Sequence, residues 1–245
     1  MHRYKPASTW PRCLVGLAFM ASTAAMATPE LDTGALYDYL PPPRATFTKQ
    51  VRNLGDATAF VKVEVAEITY NDQDAPAELP LEGTERPLVA SPSRLIIPAG
   101  SRRDVRVVYR GGRLSERYFR LRFVPVVPES EDAFGVREEE REHYRQAIKA
   151  SVGVLKAIGG VVLVSPQPPR FNTQVEQRGA SLRVANNGNT TVILDNFARC
   201  QAGGECAQGH RVHVRPGKTF SEQTEEGQGF SFTLIEGNAR RRYTP

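Results

Sequence analysis

A strong charge of one sign, a membrane-length apolar run and a recognisable catalytic motif are all missing from this chain. Among its 245 residues, 32 Lys and Arg face 27 Asp and Glu, a net charge of +5. Arg3, Lys5 and Arg12 lie in a segment read below as removable, which leaves 29 against 27, or +2. So small an excess excludes the broad basic face of a nucleic-acid binder, though not a local basic cleft. No apolar stretch reaches the roughly 18 to 20 residues that cross a bilayer, so stable membrane insertion is not expected. There is no G-x-S-x-G and no H-E-x-x-H, and Gly217-Lys218-Thr219 lacks the glycine five positions earlier that a phosphate loop needs. Enzyme readings therefore have nothing to stand on, and no cofactor is implied.

What is present suits a folded, exported protein. Hydrophobic residues make up 40 % and charged residues 24 % of the chain, enough apolar material for one or two ordinary cores and too much for a wholly disordered chain. Residues 1–27 have the three parts of a secretory signal: a basic start (His2, Arg3, Lys5, Arg12), an apolar run from Cys13 to Met20, and the small-x-small end Ala25-Met26-Ala27. Cleavage after Ala27 is expected. Cys13 then leaves with the signal, and Cys200 and Cys206 remain as a pair in a compartment where disulfides persist. We read them as one disulfide across a Gly-containing turn. A zinc site with His210 and His213 is the rival; it lacks a C-x-x-C arm, and the two His read as surface residues.

Along the mature chain the apolar pattern has period two, in short runs rich in β-branched and aromatic residues bounded by Pro, Gly, Asn and Asp. The expected strands are Leu36–Leu40, Ala45–Val51, Ala59–Tyr70, Leu88–Ile97, Arg103–Tyr109, Glu116–Val126 and one long strand from Ile148 to Val164. Glu138–Gln146, with its run of Glu and Arg and no apolar stripe, reads as a solvated loop. Ser165-Pro166-Gln167-Pro168-Pro169 cannot sustain a ladder and reads as a stiff connector. Beyond it, shorter runs near Ser181–Val184, Thr191–Phe197, Arg211–Val214 and Gly229–Ile235 precede a basic tail, Arg240-Arg241-Arg242. The pattern is all-β: an immunoglobulin-like sandwich over 28–165, a Pro-rich linker, and a smaller sandwich over 166–245.

The order of several short motifs carries a resemblance. Ser91-Pro92-Ser93-Arg94-Leu95-Ile96-Ile97-Pro98-Ala99-Gly100, the alternation at Val105 and Val107, and Glu116-Arg117-Tyr118-Phe119-Arg120-Leu121-Arg122-Phe123 resemble the first domain of periplasmic chaperones of the chaperone-usher pilus pathway. Asn186-Asn187-Gly188-Asn189 and Pro216-Gly217-Lys218 resemble their second domain, and the Cys200/Cys206 spacing is most similar to chaperones of alternate, colonisation-factor-type fimbriae. The resemblance implies two immunoglobulin-like domains set at an angle, a periplasmic location, fimbrial or pilin subunits as clients, and delivery to an outer-membrane usher. Such proteins lend a strand to a subunit whose own sandwich is one strand short, capping an edge that would otherwise aggregate. A secreted structural or adhesive β protein, such as a pilus subunit or adhesin, is the alternative. A carbohydrate-binding sandwich, for which only Tyr37, Tyr39 and Tyr70 speak, is a third reading.

Placed on this sequence, the lent strand is the one starting at Ile148, where Ile148, Ala150, Val152 and Val154 form an apolar row that Lys156 continues. The row would otherwise fill the protein's own core. Gly159-Gly160 is expected to mark a bulge where the row changes face. The family holds the subunit's C-terminal carboxylate with an Arg and a Lys, charge-assisted donors that a desolvated carboxylate needs. No Arg precedes Leu36-Tyr37 here, so Arg44 and Lys156 are the candidate anchor pair, with Lys49 and Arg52 in reserve. Glu116 resembles the family's domain-fixing acid, without an evident basic partner, and Pro92 resembles the site of its cis bond.

Overall fold

The computed structural model describes residues 28–81, 86–150, 155–201 and 203–244. The expected signal segment 1–27 and two residues of the expected donor row, Val152 and Val154, lie outside them. Ten strands precede residue 165: β1 (Leu31–Asp32), β2 (Tyr37–Leu40), β3 (Thr46–Asn53), β4 (Ala59–Tyr70), β5 (Pro76–Pro80), β6 (Leu88–Ser91), β7 (Arg94–Ile97), β8 (Arg102–Tyr109), β9 (Arg117–Pro125) and β10 (Ile158–Val164), with helix α1 (Glu138–Ala150) between the last two. One sheet has the order β1-β3-β8-β6; the other runs β2-β10-β9-β4-β5, with β7 also on β4. Their inner rows meet in a core that includes Val51, Val61, Val105, Val107, Phe119, Phe123, Val162 and Val164.

Seven further strands build a second sandwich: β11 (Thr173–Arg178), β12 (Ser181–Asn186), β13 (Val192–Cys200), β14 (His210–Val214), β15 (Thr219–Gln223), β16 (Gly229–Glu236) and β17 (Ala239–Tyr243). Its sheets are β11-β12-β15 and β14-β13-β16-β17, around a separate core of Leu182, Val184, Leu194, Phe197, Phe230 and Phe232. Cys200 and Cys206 are joined by a disulfide that closes the turn between β13 and β14. Among the described residues no helix is long and apolar enough to cross a membrane.

Three expectations are corrected. Leu88–Ile97 is two strands: β6 pairs with β8 and β7 with β4, so the chain changes sheet at Pro92, which has no N–H for a ladder. The Ser91–Pro92 bond is cis, as the resemblance implied. The loop expected at Glu138–Gln146 is helix α1, and it extends through Ile148 to Ala150, where a strand was expected. Three Glu begin it and Lys149 ends it, in favourable sense for the helix dipole. Arg141–Glu138 and Arg145–Glu142 pair along it, while Tyr144 sets its ring edge-on to Phe60 and Ile148 is buried.

Third, Gly159-Gly160 is no bulge, because β10 keeps one register from Ile158↔Phe123 to Val164↔Arg117. The glycines are there for close backbone approach: a Cβ on Gly159 would collide with the Leu121 carbonyl of β9, and one on Gly160 with the Leu36 carbonyl. The basic tail Arg240-Arg241-Arg242 is itself part of an edge strand, β17, paired to β16.

Candidate client-binding site

β10 is the pivot of the first sandwich. It pairs antiparallel with β9 along its whole length but parallel with β2 only from Val161 to Val164. β2 is short because the chain has just crossed sheets: β1 still pairs with β3. Upstream of Gly160, which still lies against Leu36, the flank of β10 that faces β2 has no strand paired to it among the described residues. β9 runs on past its last β10 partner, Phe123, to Pro125, where among the described residues β4 alone pairs with it.

Where β10 ends, the two sandwiches meet. Glu116, just ahead of β9, accepts the Thr191 amide at 3.0 Å and the Thr191 hydroxyl at 2.5 Å, and the Tyr118 hydroxyl donates to it at 2.6 Å. Burial pushes the Glu116 carboxyl above its ordinary pKa, against the pull of those donors, and burial beside Glu116 pushes the Tyr118 phenol up. Glu116 thus joins the two sandwiches through hydrogen bonds to Thr191. Arg215 lies over the Tyr70 ring, 3.3 Å from its centroid, and pairs with Asp74 in the β4–β5 turn, where Lys218 also lies 2.9 Å away.

Tyr39 Oη and His213 Nε2 are 2.6 Å apart, and the Tyr37 ring stacks obliquely at 4.0 Å from the same imidazole. Burial, with Arg211 nearby, lowers the His213 pKa to about 4. His213 was expected on the surface; it is a half-buried part of the joint, and only the fold brings it to Tyr39, across a sequence separation of 174. Arg113 ties the ends of β2 and β10 together, donating to the carbonyls of Leu40, Arg44 and Ser165.

Between these groups opens a cleft of about 360 Å³, lined by Tyr37, Tyr118, Arg120, Leu163, His213 and Arg215 among others. Its floor is the outward row of β10. Two cations reach it, each held by a carboxylate: Arg215 by Asp74, and Arg120 by Glu78, which Arg122 also contacts. Those arginines keep the Glu78 carboxyl below the usual range.

The expected anchor pair does not come together. Arg44 is exposed in the turn after β2, beside the end of β10, whereas Lys156 is exposed before its start. The intervening strand puts them ~25 Å apart at about 3.3 Å per residue, too far to hold one carboxylate. Of the reserves, Arg52 is exposed at the far end of β3, and Lys49 is buried and paired to Asp38. The signal for Arg120 and Arg215 was weak: each sits in an ordinary alternation, and only the fold turns them toward a common space.

Comparison with known proteins bears on the architecture. No family model and no curated protein sequence matches the chain. Solved structures do. The class 5 fimbriae chaperone CfaA aligns over 88 % of this chain and 100 % of its own, with a TM-score of 0.54 and 15 % identity. The CupB2 chaperone of Pseudomonas aeruginosa aligns over 86 % and 98 %, with a TM-score of 0.53 and 12 % identity. The SafB chaperone of Salmonella enterica, solved in complex with the SafA pilin, aligns over 88 % and 96 %, with a TM-score of 0.51 and 15 % identity. The chain therefore has the two-sandwich fold of the chaperone-usher pilus chaperones.

Proposed function

We propose that this protein is a periplasmic chaperone that binds fimbrial subunits by lending them a strand and passes them to an outer-membrane usher. The observation that carries the reading is the half-covered β10, within a fold shared along nearly the whole chain with chaperones, one of them solved with its pilin. An uncovered strand flank is a ready site for strand addition, in which main-chain hydrogen bonds supply affinity and alternate side chains supply fit.

The donor segment in this reading is 148–157. Continuing the register of Ile158↔Phe123 sets Ala157 opposite Val124 and Lys156 opposite Pro125, so that β10 lengthens along the free end of β9. Even-numbered residues then share the face of Ile158 and Val162, and the row Ile148, Ala150, Val152, Val154 presents its apolar side chains there. The end of α1 gives way as the segment extends. The subunit carboxylate falls to the cleft cations Arg120 and Arg215, and Arg44 and Lys156, at opposite ends of β10, face separate parts of the client. We place the domain boundary at Ser165, giving units 28–165 and 166–245 after a signal at 1–27.

The test is co-purification of the tagged mature protein with its periplasmic partners. Recovery of a fimbrial subunit in stoichiometric amount supports the reading; recovery of none contradicts it.

A further inference from the structure

Lys49 interrupts an apolar row. On β3 it occupies an inward position between Phe47 and Val51, and it is 5 % exposed. A Lys so placed is tolerated only when its charge is paired and its donors are used. Here Nζ donates to Asp38 Oδ2 at 2.9 Å and to the Ala35 carbonyl at 2.5 Å. Both acceptors belong to the stretch that has just left β3's sheet, so the ion pair spans the sandwich and fastens β2 where it lands on the opposite sheet.

β2 has little else in its own ladder. Four residue pairs join it to β10, flanked by the Val161 amide on the Leu36 carbonyl at 2.8 Å and the Ser165 amide on the Leu40 carbonyl at 3.3 Å. So short a parallel pairing is marginal alone. Yet it decides which part of β10 is covered. Where β2 begins, the open flank ends.

We propose that the Lys49–Asp38 pair is a positioning stop: by keeping β2 seated on Val161–Val164, it limits how far along β10 an incoming extended strand can pair. This rests on the strand-lending function proposed above. Lys49 touches no client; it sets the register in which the client strand is accepted, because a slip of one residue would turn every side chain to the wrong face.

The test has two arms. In the free mature protein, Lys49→Met keeps most of the stem volume and removes the charge. Amide exchange at Val161 and Ser165 should accelerate at least about tenfold, with exchange at Leu194 in the second sandwich unchanged. Lys49→Arg, which keeps a cation at the site, should stay nearer the parent and guards against a variant that merely unfolds. Unaltered exchange at Val161 in folded Lys49→Met overturns the proposal.

In complex with a co-expressed fimbrial subunit, new protection should stop short of Val161 in the parent and reach Val161–Leu163 in Lys49→Met. An identical footprint in both overturns the stop. If the parent binds no subunit, the chaperone reading fails and the stop falls with it, while the exchange result on the free protein still reports whether Lys49 fastens β2.

Discussion

Glu116 of the first sandwich accepts both the amide and the hydroxyl of Thr191 in the second, at 3.0 and 2.5 Å. A half-buried carboxylate committed to donors of another domain makes the two cores one mechanical unit, since moving either domain strands a charge. Arg215 on Tyr70 and His213 against Tyr39 lock the same joint from other sides.

Glu116→Ala should therefore uncouple the domains without dissolving either. Hydrogen bonds to a charged group contribute about 1.5 to 3 kcal/mol each, so the loss should exceed ~1.5 kcal/mol. Scanning calorimetry should show one transition in the parent and two in the variant; a single unshifted transition contradicts the joint.

The same joint should weaken in mild acid. The folded-state pKa of His213, about 4, lies below its ordinary 6.5, so the unfolded chain binds the proton more readily and stability falls as pH drops from about 6.5 toward 4. Glu116 works in the opposite sense, because its raised folded pKa favours the protonated folded form as pH falls. Comparing thermal midpoints of the parent and His213→Gln across pH 7 to 4 isolates the imidazole: the parent should lose more than the variant. Parallel curves contradict this.

The Cys200–Cys206 disulfide closes a loop of small span, with a sequence separation of 6. Restricting so short a loop in the unfolded chain is worth about 2 kcal/mol. Cys200→Ser/Cys206→Ser should lower the urea midpoint of the chain's single transition by a corresponding amount, and an unchanged midpoint contradicts this.

Much of this fold could be read from period-two runs alone: the strands at Ala59–Tyr70, Arg103–Tyr109 and Glu116–Val126 match β4, β8 and β9 closely, because each has one buried face. The misses have physical causes. β5, with Pro at both ends, and β11 and β15, with their largely polar residues, bury too little to show a pattern. α1 was hidden because, of its apolar residues, Tyr144 and Ile148 mark its packing face, while the alternation that begins at Ile148 mimics a strand. Lys49 read as a reserve for the carboxylate anchor because a buried charge is visible only once its partner, on another sheet, is known. The cleft cations were missed for the same reason: Arg120 and Arg215 share a site only in three dimensions.

The cleft offers its own test. Arg215→Ala removes a cation that the structure holds on Tyr70 and Asp74. Client affinity should drop roughly 30-fold or more, in line with the 2 to 5 kcal/mol typical of a lost partner to a desolvated charge. Pull-down yield at fixed expression measures it, and an unchanged yield removes Arg215 from the anchor.

The donor segment is where the account stands or falls. Val152→Asp/Val154→Asp places charges in the row proposed to enter the subunit's apolar groove, at a large desolvation cost. The direct measurement is periplasmic pull-down of a co-expressed fimbrial subunit, with circular dichroism of the same preparations. The account predicts a folded, exported chaperone that recovers no subunit. Normal recovery of subunit, or loss of the chaperone's own fold, would contradict it, the first by showing that another strand is lent and the second by showing that the row belongs to the protein's own core.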